Sequence, residues 1–112
     1  HRYILSFDLA ALPPVTEFWE LPVYDEHGYF IDNPIDRYSP TSSLQQAGTY
    51  HQESGKLVFY LQAERPADPE QARNWLPIAA SGGFQLAARF YGPMAPLIDG
   101  SYAMPAIVRV GE

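Results

Sequence analysis

Arg89 is the residue in this chain with the most to explain. It stands in a largely apolar run, GGFQLAARFYGP, at residues 82–93. A guanidinium buried there must be paired or hydrogen-bonded, because burying it alone costs several kcal/mol. One reading is an internal ion pair with Asp25, Asp32 or Asp36 that fixes packing. The other is an anion or sugar clamp at a cavity mouth, using the bidentate fork of the side chain. A second group, Asn33, Asp36, Arg37 and Tyr38, collects four polar side chains on a proline-stiffened loop. Asparagine before proline commonly orders a turn through its side chain, which is the plainer reading. A binding role requires these groups to converge on a pocket with Asn74 and Trp75 of the NWLP stretch, which reads as a loop. Trp75 can stack on a sugar or aromatic ligand, or it can plug the end of a sandwich.

Other catalytic constellations are weak. A serine triad needs a serine on a sharp turn with a histidine and an acid in reach. Ser39, Ser42, Ser43, Ser54, Ser81 and Ser101 offer no GxSxG elbow. His1 is terminal, His27 lies at a hairpin tip and His51 precedes another turn, so none is placed as a base. No element carries two histidines and a carboxylate at ligand spacing, and no metal or cofactor is expected. Asp25, Asp32 and Asp36 could form an acid pair of the glycosidase kind, although loop aspartates in an acidic chain are usually solvated.

Composition narrows the function class. The 112 residues suffice for one domain with its own core. A formal charge of −6, with seven dispersed basic residues and no two adjacent, argues against nucleic-acid or anionic-membrane binding. There is no cysteine, so no disulfide framework, thiolate metal site or cysteine nucleophile is available. No apolar run approaches a membrane span and no signal peptide is visible. The chain opens at His1 and goes straight into a strand, which suggests a piece of a longer chain cut at a domain edge.

The elements that must position these side chains are short strands. Tyr3, Leu5 and Phe7 share one face at period two. Trp19, Leu21 and Val23 do the same in a second strand over residues 18–24, where Pro22 implies an edge or a bulge. Asp25-Glu26-His27-Gly28 and Glu53-Ser54-Gly55-Lys56 are hairpin signals, the second leading into a strand over 57–62. Residues 32–40 hold too much proline for regular structure, and residues 41–48 are expected to make one helical turn. Asp68-Pro69-Glu70 reads as a short helix start. Residues 84–91 form the best strand pattern, with Phe84, Leu86, Ala88 and Phe90 on one face and Gln85, Ala87, Arg89 and Tyr91 on the other. A last strand is expected over 106–110. Six to eight short strands and eleven prolines point to an all-β antiparallel sandwich, jelly-roll-like, with long proline-rich loops, as a single domain over 1–112.

YILSF, LPPVTEFWELPVYDEHGYFIDNPIDRYS, NWLP, GGFQLAARFYGP and DGSYAMPAIVRV follow one order over nearly the whole chain. That order resembles the bacterial domain-of-unknown-function family numbered 1214. The most specific matches are Asn33, Pro34, Arg37 and Tyr38 together with the NWLP stretch. Two positions depart from the pattern: Pro22 stands where a strand residue is expected, and Gly92 where the family often has a tryptophan. The resemblance implies a jelly-roll-like sandwich forming the C-terminal half of a two-domain, often exported protein whose upstream domain belongs to the family numbered 1254. It implies no substrate. The chain is therefore expected to be a non-catalytic module that packs against an upstream domain or sister subunits. The alternative is an esterase-like hydrolase, or a carbohydrate-binding or carbohydrate-processing domain, with a pocket near Arg89 and Trp75 for a small molecule or sugar.

Overall fold

The computed structural model describes residues 1–31, 41–42, 48 and 50–111. Asn33, Asp36, Arg37 and Tyr38, and most of the helical turn expected over 41–48, lie outside the described residues.

Two strands form the centre of the larger sheet, β1 (Arg2–Asp8) and β5 (Lys56–Gln62). They pair antiparallel, with Tyr3, Leu5 and Phe7 opposite Leu61, Phe59 and Leu57. All but Tyr3 of these are fully buried, so the period-two pattern does become the core face. The strand β4 (Gln52–Glu53) joins β5 through a tight turn in which Ser54 and Gly55 both take positive φ, 54° and 74°. Another strand, β6 (Trp75–Pro77), lies along the far half of β5, and β9 (Val108–Gly111) pairs with the other side of β1.

The second layer is a bent antiparallel ladder. It consists of β2 (Val15–Glu20) against β8 (Arg89–Pro93), continued by β3 (Val23–Asp25) against β7 (Phe84–Leu86). The run expected as one strand over 84–91 is thus two strands. The break faces Leu21 and Pro22: the Pro22 carbonyl accepts from Ala87 N–H at 3.0 Å, but proline has no N–H to return. Pro22 therefore sits at an interruption of the ladder, as its position in a strand pattern requires. Trp19, Leu21 and Val23 point inward and are buried. Phe7 stacks on Trp19 with centroids 6.0 Å apart, and Tyr3 meets Phe84 edge-on at 5.1 Å. These ring contacts close the two layers on one core.

The connections follow local chemistry. Asp25 Oδ1 accepts from the backbone N–H groups of His27 and Tyr29, and Gly28 takes φ 86°, which closes the first hairpin. Asp68 caps the turn Pro69–Arg73 by accepting from Glu70 N–H at 2.9 Å. That helical turn carries the crossover between β5 and β6, which run parallel and so cannot be joined by a hairpin. The fold is all-β, and its other strand pairings among the described residues are antiparallel.

Candidate functional site

The NWLP stretch, expected as a loop, is the end of the helical turn followed by β6. Asn74 is 1% exposed and its amide is fully used. Its Oδ1 accepts from His51 N–H at 2.7 Å, while Nδ2 donates to the carbonyls of His51 at 2.7 Å and Val58 at 2.9 Å. One amide side chain thus replaces a strand neighbour for residue 51 and ties it to β5. Trp75 is 4% exposed, with its indole N–H donating to the Gln62 carbonyl at 2.8 Å. The ring is therefore buried within the chain rather than presented at its surface.

Arg89 is not buried, contrary to the expectation from its apolar neighbours. Its side chain is 54% exposed on the outward face of the second layer. Phe84, Leu86 and Phe90 pack against the core, and Arg89, which the period-two pattern puts on the opposite face, points to solvent. Its partner is also different from those expected: Glu20, the residue facing it on β2, stands at 3.5 Å. Asp25, among the partners considered, is occupied by its own turn. Arg89 Nη2 donates to the Tyr24 hydroxyl at 3.0 Å, and Tyr91 O–H donates to Glu20 Oε1 at 3.1 Å. The neighbouring Tyr24 is the largest cause holding the guanidinium's pKa above its ordinary value, with Tyr91 and Glu20 adding to it. Phe18 stacks on Tyr91 at 4.3 Å and Tyr24 on Phe30 at 5.0 Å, so the quartet Glu20, Tyr24, Arg89 and Tyr91 lies between two aromatic pairs.

The three described candidates accordingly divide between two layers. Asn74 and Trp75 belong to the larger sheet, Arg89 to the second. Whether Asn33, Asp36, Arg37 and Tyr38 converge on either lies outside the described residues.

One cluster escaped sequence reasoning. His51 Nδ1 stands 2.6 Å from Glu70 Oε2, and its Nε2 stands 3.4 Å from Glu53 Oε2. Glu70 is nineteen positions away in sequence, on the helical turn, so no local motif announces the pair. A carboxylate that orients an imidazole is a familiar element of general-base sites. Here the second ring nitrogen also faces a carboxylate, and the backbone of His51 is clamped by Asn74. Arg73 Nη2 donates to the Gly48 carbonyl at 2.7 Å, so the same turn is latched to the preceding segment twice. Among the described residues no group of three His, Cys, Asp or Glu side chains is placed to hold a metal ion. Of the serines considered, Ser42 is buried and its hydroxyl accepts from Trp19 N–H at 3.1 Å.

The comparison with known families now decides the relationship. Residues 1–95 match the family described as protein of unknown function, DUF1214. The chain belongs to that family. That description names no activity, and no curated protein matches the chain. Among solved structures, the crystal structure of the VPA0106 protein from Vibrio parahaemolyticus is similar at 26% identity and a TM-score of 0.77. The likeness covers 99% of this chain and 26% of that one, so this chain spans about a quarter of that relative's length. Among the described residues no helix is long and apolar enough to cross a membrane.

Proposed function

We propose that this DUF1214 chain is a non-catalytic β-sandwich module, jelly-roll in its winding, that works by packing against an upstream domain of a longer bacterial protein or against sister subunits. The observation that carries this reading is where the apolar surface lies. Met94, Ile98, Met104, Ile107, Val108 and Val110 are 37–74% exposed and all fall within residues 94–110. Single exposed apolar side chains are ordinary; a concentration along one segment marks a surface that meets another apolar surface. The segment is anchored twice, by Tyr102 O–H donating to the Ala11 carbonyl at 2.7 Å just beyond β1 and by the pairing of Val108 with Ile4 within it. It is therefore presented on a fixed frame. The resemblance to exported two-domain proteins supports placing the parent in the periplasm or outside the cell.

A second reading is favoured by Arg89. A half-exposed guanidinium among Tyr24, Tyr91 and Phe18 on an open strand face offers hydrogen-bond donors beside aromatic faces, a combination suited to a sugar or a small anionic ligand. A panel of simple ester and glycoside substrates, run on the chain, separates the two readings. The module reading predicts no turnover. Turnover that disappears in Arg89→Ala with the fold intact would make the chain the enzyme.

A further inference from the structure

We infer that the outer face of the larger sheet is a self-association surface, on which a second copy of this chain packs face to face. The inference rests on the contact-module reading and goes beyond it by naming the surface and the partner.

An antiparallel sheet with one face in water normally alternates apolar and polar residues. The inner face here is apolar, yet the centre of the outer face is apolar too. Directly paired residues share a face. Val108 pairs with Ile4, Ile4 with Tyr60, and Tyr60 with Trp75, which makes one row across four strands. Val58 lies in the next row, opposite Ser6. Trp75 is buried by the chain itself, Ile4, Val58 and Tyr60 are half-buried and Val108 is exposed, so the row is covered at its β6 end and opens toward β1 and β9.

Around that centre the same register places charges of both signs. Asp8 faces Lys56 with a 3.5 Å ion pair, Glu53 faces Lys56 from the other side, and Arg2 lies on the outer side of β1. An apolar centre inside a polar rim is the anatomy of a protein–protein interface. The mixed rim also selects the occupant. A chain of net charge −6 repels its own copies in general. A two-fold axis through this face, however, can set Arg2 and Lys56 of each copy against Asp8 and Glu53 of the other, so the face is complementary to itself. A partner of one strong charge sign would lack that match. Among the described residues β9 is the outermost strand on its side, so its open edge borders the same face.

Sedimentation velocity over a concentration series tests this on the chain as it stands. The wild type is expected to shift from monomer to dimer as concentration rises. Val108→Asp and Val58→Glu, each checked for an unchanged unfolding transition, should weaken association at least about tenfold, a charge having been set into the apolar centre. Ile98→Asp, exposed but off this face, should not. A chain that stays monomeric up to about 1 mM overturns the inference. So does association that is lost in Ile98→Asp but kept in both face variants. A monomeric chain that still binds a separate domain would overturn self-association while leaving the contact-module reading in place.

Discussion

Asn74 shows how one polar side chain can specify a local structure. Its amide meets two carbonyls and one N–H of neighbouring backbone in a buried position, so truncation strands all three at once. Asn74→Ala is expected to destabilise the fold by about 3 kcal/mol, the cost of leaving buried polar groups unpaired, read from the denaturant midpoint. Asn74→Asp should also destabilise, because a carboxylate cannot donate to the His51 and Val58 carbonyls. Arg89 behaves in the opposite way. Its guanidinium is half-exposed, although the Glu20 carboxylate it faces is only 18% exposed, and Arg89→Ala should lower the unfolding midpoint by far less than Asn74→Ala does. A large loss of stability in that variant would contradict the surface role. The residue types at both sites were legible in the sequence; their depth was not. Depth depends on which face of a strand meets the other layer, and for Arg89 the apolar neighbours along the chain suggested burial where the strand period already pointed outward.

At the scale of elements, what the sequence showed was whatever a few adjacent residues decide. Both hairpins, the helix start at Asp68-Pro69-Glu70 and the inward faces of β1 and β2 could be read directly, because glycine, proline and period-two alternation act locally. The division of residues 84–91 into β7 and β8 could not, since its cause is Pro22 on the partner strand, more than sixty positions away. The strand character of NWLP was hidden for the same reason: its hydrogen-bond partners are on β5. Gly92, where the family pattern often has a tryptophan, answers both to its own backbone and to a neighbour on the paired strand. It takes φ 69°, and a Cβ there would run into the Thr16 side chain, whose hydroxyl donates to the Gly92 carbonyl at 3.1 Å. Gly92→Ala is expected to cost about 1–3 kcal/mol through backbone strain, with Thr16→Ala relieving the steric part; a double-mutant cycle measures the coupling. Asp68→Ala should cost about 1 kcal/mol through loss of the cap.

For the whole molecule, two tyrosines make stability depend on alkaline pH. Burial is the main cause raising Tyr60 above the ordinary value of 10.0, with Asp68 and Glu53 adding to it, and burial alone raises Tyr102. The fold therefore holds these protons more tightly than the unfolded chain does. Their contribution to stability is fully present below the ordinary tyrosine value and is lost as pH rises through the folded values. Denaturant midpoints followed through alkaline pH should fall in this window, and Tyr60→Phe should flatten the fall. Tyr60 also belongs to the outer apolar row, so a partner seated there would hold its proton more tightly still. The claim that the chain acts through contact rather than catalysis turns on the apolar segment 94–111. Hydrogen exchange of that segment is the most direct measurement, made on the dilute chain, on the concentrated chain and on the longest natural protein that carries it. Slower exchange across 94–111 in the concentrated chain or in the longer protein is the predicted result. Equally fast exchange in all three would contradict the contact role and return attention to Arg89 and its aromatic neighbours.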